Sequence, residues 1–357
     1  MFSKDTKEAI SLMMDVYNDR HSDAIILLTK YYFEVDEVIE STLSSFDEEK
    51  FTLTVRTESE NILKDIKFKT EPLNSNEAAA YLLECLDQAR KKAPKNVPKT
   101  RIELEIERNK NLKTYFTSVS GTKKISSNIV EISFKNGLDD LPDIKNDAFL
   151  FFIIPKFKKD KFPEGFSMSN YRAMVGKEDQ KFFGAYYTIK KFKENEIYVW
   201  FVLHEHPGPL ADWASNVQVG DTVAVWGPRT SFQPPKNTTN YLFIADETAQ
   251  PAVLASIKNL SHREKYICIF ETQDTHSQYQ YDLGNGHIEW VYRDSDKPGG
   301  GKKLMNRINE LDIDIKDLYI FGAGEGKQMS NIRKLLKKKY PLRSNQMTLT
   351  GYWRKTK

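Results

Sequence analysis

Cysteine is scarce in this sequence. Cys85 and Cys268 are the only two, far apart and in differently patterned segments, which excludes a disulfide framework or a cysteine zinc site. Any redox chemistry would need a bound cofactor. Long apolar runs are also missing. The start, "MFSKDTKEAISLMMDV", carries Lys4, Asp5, Lys7 and Glu8 and has no apolar core of signal-peptide length. No later segment reaches the length of a membrane span, so a cytoplasmic chain without a membrane span is expected. A nucleotide-hydrolysing phosphate loop is absent too, although "FGAGEGKQMS" from Phe321 to Ser330 comes close. Three residues, where the loop needs four, separate Gly322 from Gly326, and Gln328 stands where Ser or Thr would ligate magnesium. Glu325 would also repel a triphosphate.

What is present is ordinary in amount and uneven in placement. The 357 residues are 39% hydrophobic and 29% charged, a soluble composition long enough for two or three domains. Residues 1–90 hold 10 Lys and Arg against 19 Asp and Glu, a net charge of −9, which leaves the rest of a +3 chain at +12. Such asymmetry implies separate domains. The junction is "KKAPKNVPKT", 91–100, where prolines and lysines interrupt helical periodicity. This gives a small acidic α/β domain over 1–95 and further domains over 101–240 and 241–357. From Lys327 to Lys357 there are ten basic residues and no acidic one. In "NIRKLLKKKY" they alternate with apolar positions at helical spacing, which favours a solvated helix face over a nucleic-acid tail.

Residues 101–240 read as antiparallel β structure. "NIVEISF", "AFLFFIIP", "GAYYTIKKF", "EIYVWFVLH" and "DTVAVWGP" are short β-branched and aromatic runs bounded by Gly, Pro, Asn or Asp, the pattern of a small barrel or sandwich. After 240, strand-like "YLFIAD", "YICIFE", "HIEWVY" and "DLYIFGAG" are interleaved with helical "TAQPAVLASIKNL", "GKKLMNRINEL" and "MSNIRKLLKKKY". Such alternation predicts right-handed crossovers and a mostly parallel α/β sheet. Ligands of such sheets bind at the carboxyl ends of strands, where "ADETAQPA" and "FGAGEG" both fall.

A barrel followed by a nucleotide-binding α/β half is the order of the ferredoxin-reductase superfamily. "FVLHEHPGPLADWASNVQVGDTVAVWGP", "ADETAQPAV", "FGAGEG" and "GYWRK", in that order between about Tyr115 and Arg354, resemble the siderophore-interacting protein family of flavin-dependent ferric-siderophore reductases. The resemblance implies an FAD-binding barrel over 101–240, an NAD(P)H-binding-like half over 241–357 and an anionic ferric siderophore as substrate. It further implies that Tyr187 and Thr188 of "Ala-Tyr-Tyr-Thr" contact the flavin, and it places Lys190 where relatives often carry arginine. His204, Gly208, Pro209, Trp213 and Ala214 would face the flavin's pyrophosphate, although His204 could equally serve as a strand-end histidine. Asp246, Glu247, Thr248 and Ala249 would form the platform where NADPH or NADH brings its nicotinamide, or simply start a helix with Asp or Thr as cap. Gly324 and Glu325 would shape that crevice, Trp353 would return an aromatic to the flavin, and Arg354 and Lys355 would attract the chelate.

The chain departs from the family where Ala185 replaces the arginine of its Arg-x-Tyr-Thr motif. Arg172, Lys191 and Arg229 are the nearby substitutes. The N-terminal segments "MMDVYNDRHSDAIILLTKYYF", "FTLTVRT" and "PLNSNEAAAYLLECLDQARKK" resemble the small domain of haem-utilisation proteins, which implies a second reading with haem ligated by His21. A docking or dimerisation module is the alternative for that domain.

Overall fold

The computed structural model describes residues 2–355 except 143, 145–146, 204–207, 280, 282–285, 295, 301 and 343. It resolves into two compact units, Met1–Asn111 and Leu112–Lys357.

The first unit runs α1 (Lys4–Arg20), α2 (Ser22–Tyr31), β1 (Glu40–Phe46), β2 (Lys50–Arg56), β3 (Asn61–Lys67), α3 (Ser75–Lys92) and α4 (Arg101–Lys110). The strands pair antiparallel in chain order. In β2, "KFTLTVR", Phe51, Leu53 and Val55 alternate inward and are fully enclosed, as a half-buried strand requires. They meet Ile10, Met14, Ile25, Leu28 and Leu82 from the helices. Asn18 donates to the Leu43 carbonyl at 2.9 Å and accepts from its N–H at 2.7 Å, so a helical side chain completes the edge of β1. The lysine- and proline-rich segment after α3 is tied into this unit. Arg90 donates to the carbonyls of Val97 and Pro98 and pairs with Glu103 at 2.6 Å. Burial raises the Glu103 pKa, but Arg90 and Thr100 outweigh it and hold the carboxyl down to about 2. Residues 101–110, read from sequence as the start of the β-rich domain, are therefore a helix of the first unit.

The second unit opens with β4 (Lys113–Lys124), β5 (Ile129–Lys135), β6 (Phe149–Pro155), α5 (Met168–Met174), β7 (Phe182–Lys193), β8 (Glu196–Val202), α6 (Pro209–Asn216) and β9 (Thr222–Arg229). The strands close into an antiparallel barrel in the order β4-β5-β8-β7-β6-β9. Phe134, Phe152, Val199, Phe201 and Val225 fill it. The unit continues with β10 (Asn240–Ala245), α7 (Gln250–Ile257), β11 (Lys265–Thr272), β12 (His287–Tyr292), α8 (Lys302–Glu310), β13 (Leu318–Glu325), α9 (Gly326–Lys339) and β14 (Met347–Trp353). Here the sheet order is β12-β11-β10-β13-β14 and the pairs run parallel. The interior strand β13 is buried along its whole length, which is why it reads as continuous apolar and small residues up to Glu325. The chain order reverses beside β10, so the carboxyl ends of β10 and β13 flank the switch point of the sheet.

"FGAGE" is the end of β13 where sequence suggests a loop, and the following Gly326 begins α9. Gly322 and Gly324 lie in β13, Gly322 opposite Ile244 of β10 and Gly324 just past the last pair. A Cβ on Gly322 would sit 2.2 Å from the Ile244 carbonyl oxygen, and one on Gly324 would sit 2.9 Å from the Asp246 carboxylate. The glycines permit close packing between strands. Glu325 then caps α9 by accepting the Gln328 N–H at 2.8 Å, which answers for an acid in a place where phosphate would not tolerate one.

Candidate functional site

Four parallel strands end near charged side chains, and the topology gathers these below one crevice. Asp246 and Glu247 follow β10, Glu271 lies near the end of β11, Arg293 follows β12 and Glu325 ends β13. All are at most 4% exposed. The Arg293 guanidinium forks onto Glu247 at 2.8 and 2.5 Å and reaches Glu271 once, at 3.3 Å. Gln328 donates to the other Glu271 oxygen at 3.2 Å. Burial pushes Glu271 up to about 7, against the pull of Arg293, with the Asp246 charge adding to the rise. Asp246 is pushed up to about 6 by burial and by Glu247, and only partly restored by hydrogen bonds from Thr248 and Trp353. One arginine faces three carboxylates here, and its fork is committed to Glu247, so the others carry the excess negative charge.

Asp246 connects this cluster to the surface. Its Oδ1 accepts the Thr248 N–H at 2.9 Å, and its Oδ2 accepts the Trp353 indole N–H at 2.7 Å. A bulge between Gly324 and Glu325 shifts the register of β14 and turns Tyr352 and Trp353 toward a cleft of about 370 Å³. Tyr186, Tyr187, Thr188, Trp200 and Ala185 of the barrel form its other wall, with Gly208, Pro209 and Thr248 at its edge. The Tyr187 ring lies 4.2 Å from Phe201, and burial raises its hydroxyl pKa. Gly208 caps α6 without a side-chain hydrogen bond, and Pro209 occupies the first turn.

The structure thus brings Tyr187, Thr188, Gly208, Pro209, Thr248 and Trp353 around one cleft. Asp246, Glu247, Ala249, Gly324 and Glu325 lie buried behind it. Ala214 packs in the barrel core, while Trp213 lines a second cleft of about 750 Å³. Lys190 does not line the cleft itself: it pairs with Glu131 at 3.0 Å and lies 4.2 Å over the ring of the wall residue Trp200. His204 falls outside the described residues. Arg354 and Lys355 are exposed beyond β14. Of the arginine substitutes, Arg172 lies over Trp226, Lys191 over Tyr198, and Arg229 donates to the Tyr186 hydroxyl at 3.2 Å. Only Arg229 touches a residue of the cleft wall. His21, in the first unit, is 5% exposed at the α1–α2 junction, with Tyr17 edge-on at 5.6 Å. It offers no open face to a haem, and burial lowers its pKa. Among the described residues no group of three or more His, Cys, Asp or Glu could hold a metal ion, and no helix is long and apolar enough to cross a membrane.

Residues 118–232 match the siderophore-interacting FAD-binding domain, and 238–356 match the siderophore-interacting protein model. The chain belongs to the siderophore-interacting protein family. An NADPH-dependent ferric-chelate reductase of Escherichia coli is 27% identical over 144 residues, which are 39% of this chain and 54% of that protein. A ferric vibriobactin reductase of Vibrio cholerae is 24% identical over 178 residues, 48% of this chain and 64% of its own length. The chain therefore spans between half and two thirds of the curated family relatives it matches. A siderophore utilization protein from T. fusca shares the family fold with a TM-score of 0.59 at 22% identity, over 68% of this chain and 93% of that one.

The buried residues Arg293 and Glu271 carried no motif in the sequence, yet a signal existed: "ADE", "FET", "VYRD" and "GAGE" each place charge at the end of an apolar strand run.

Proposed function

We propose that this chain is a flavin-dependent reductase that takes electrons from NADPH or NADH and reduces Fe(III) in a ferric siderophore to Fe(II), releasing the iron in the cytoplasm. One observation carries this reading: the barrel motif Tyr187-Thr188 and the strand-end residues Thr248 and Trp353 of the α/β half line the same cleft. An electron donor held by the second and a flavin held by the first would meet there.

The residues fit an FAD. The walls are aromatic and mostly apolar, suited to a planar ring, and among the described residues the lining has no lysine or arginine. Bound FAD supplies what no side chain can, acceptance of a hydride and release of electrons singly. Tyr187 and Thr188 would hold the ring system, with the Thr188 hydroxyl as the polar group on that strand. The uncapped first turn of α6 offers backbone N–H groups to phosphate. Trp353, fixed by Asp246, would close the cleft on the side of the α/β half and keep water from it. Arg354 and Lys355 lie just past this lid, where cations would draw an anionic chelate.

Fe(II) trapping by a colorimetric chelator, with purified protein, FAD, NAD(P)H and a panel of ferric siderophores, tests the proposal. Iron release should require all components and should fall at least tenfold in Trp353→Ala. Release that is independent of the protein, or of flavin, would overturn it.

A further inference from the structure

Trp200 is an outward residue of the barrel that is almost wholly hidden from water. Along β8, Val199 and Phe201 belong to the barrel core, so the alternation of a strand turns Trp200 away from it, yet only 3% of Trp200 is exposed. The α/β half covers it. Leu254 of α7 packs there with Ile129 and Val202 of the barrel, while Tyr279 meets the indole edge-on at 5.4 Å and Tyr281 stacks at 6.4 Å. The Tyr281 hydroxyl donates to Gln250 Oε1 at 2.7 Å at the start of α7. The next residue, Pro251, lines the cleft with Thr248, and Trp200 lines the same cleft from the barrel side. One indole therefore joins the barrel wall to the segment that leads to the strand-end platform.

A single carboxylate oxygen holds that indole. Glu131 faces Trp200 directly across β5 and β8, and its Oε2 accepts the Trp200 N–H at 2.8 Å and the Lys190 ammonium at 3.0 Å. Lys190 comes from a bulge. Ile189 pairs with Val199 and Lys191 with Tyr198, so two steps of β7 oppose one step of β8 and Lys190 is the extra residue. Its ammonium lies 4.2 Å over the Trp200 ring and 5.5 Å over the Tyr279 ring, an attraction that ties a barrel lysine to the α/β half. Apolar packing would bury the ring without an acid. The hydrogen bond adds a fixed ring orientation, because such bonds weaken steeply off line.

The two halves have another tie where the chain crosses between them. Asp147, fully buried, accepts the N–H groups of Ser231 and Phe232 at 2.9 and 3.0 Å. The Phe232 ring then enters the core of the α/β half with Tyr241, Phe243 and Phe321. One joint leaves freedom to swing about it, and a contact made by other strands removes that freedom.

We propose that Glu131 is a positioning residue for the reaction. By holding the Trp200 N–H and the Lys190 ammonium on one oxygen, it sets Trp200 against Tyr279 and Tyr281 and so fixes the spacing across the cleft between electron donor and flavin. The role rests on the reductase reading of that cleft. Rates depend steeply on such spacing, with about 1 Å of misplacement costing on the order of a hundredfold.

The test uses the full chain in two measurements, for the wild type, Glu131→Gln, Glu131→Leu, Trp200→Phe and the double variant Glu131→Leu with Trp200→Phe. In flavin-free protein, the Trp200 indole N–H, assigned by its loss in Trp200→Phe, should exchange slowly with solvent by NMR. Exchange should quicken in Glu131→Leu and less so in Glu131→Gln, which keeps an acceptor. In FAD-loaded protein, the limiting rate of anaerobic flavin bleaching by NADPH or NADH should fall roughly tenfold in Glu131→Leu, with FAD affinity unchanged, and Glu131→Gln should recover most of it. Because the acid acts through the indole, the double variant should be no slower than the slower single variant by more than about twofold. Should Glu131→Leu fail to fold, Trp200→Phe, which keeps a ring and removes the N–H, should show the slowed bleaching by itself. Wild-type bleaching rates in the variants, additive losses, or an indole N–H that exchanges equally fast in all of them would overturn the positioning role and leave the reductase reading intact. A wild type bleached by neither nucleotide would overturn both.

Discussion

At residue 271 a glutamate is held in a place that disfavours its charge. Arg293 gives its fork to Glu247 and a single longer bond to Glu271, so the two acids should respond differently to neutralisation. Glu247→Gln leaves a buried guanidinium without its main partner and should destabilise the protein by about 3–5 kcal/mol. Glu271→Gln resembles the protonated acid and should be well tolerated. The folded pKa values of Glu271 and Asp246, about 7 and about 6, lie above their ordinary values. Between the unfolded and folded values the folded chain holds more protons than the unfolded one. Stability should therefore fall as pH rises from about 4 to about 7, and Glu271→Gln should flatten part of that slope. Chemical denaturation at a series of pH values reads this directly; a slope unchanged in Glu271→Gln would mean that the acid is already ionised. The neighbouring cleft wall gives a second case. Ala185 faces a lining without described cations, so Ala185→Arg should tighten FAD roughly tenfold through one charge-assisted bond. Equal or weaker affinity by fluorescence titration would indicate that Arg229, through Tyr186, already compensates.

The elements show what a sequence discloses and what it conceals. Runs such as "EIYVWFV" and "YLFIA" announce β8 and β10 because burial on both faces writes itself as unbroken apolar stretches. The strand β4, "KTYFTSVSGTKK", gives no such signal, since apart from the exposed Phe116 and the half-buried Gly121 its exposed and half-buried positions are polar. Likewise β14 hides because Gly351 interrupts it, although a Cβ there would lie 2.8 Å from the Gly326 Cα. The cleft residues Tyr187, Thr188 and Trp353, and Asp246, Glu247 and Glu325 of the buried cluster, were singled out through family motifs, whereas Glu271 and Arg293 were not. The cluster's members are dispersed along the chain and meet only through strand order. Close packing also distinguishes a strand from a phosphate loop at "FGAGEG". Gly322→Ala should destabilise the fold by about 1–3 kcal/mol, as overpacking does, because the clash is with backbone. Urea denaturation with an unchanged midpoint would contradict that.

Across the whole molecule the two units divide the chemistry unevenly. The first, net negative over residues 1–90, encloses His21, and the residues described as lining the two clefts all belong to the second. The second contains both clefts, the buried charge cluster and the match to the siderophore-interacting family. In the proposed function, electrons pass from a nicotinamide to iron through a flavin held by the second unit. Anaerobic absorbance spectroscopy of the FAD-loaded full chain tests it in two additions. NADPH or NADH should bleach the flavin band, and a ferric siderophore added next should restore it, with about two Fe(II) formed per nucleotide consumed. A flavin band that neither nucleotide bleaches, or one that stays bleached in the presence of every ferric siderophore offered, would contradict it.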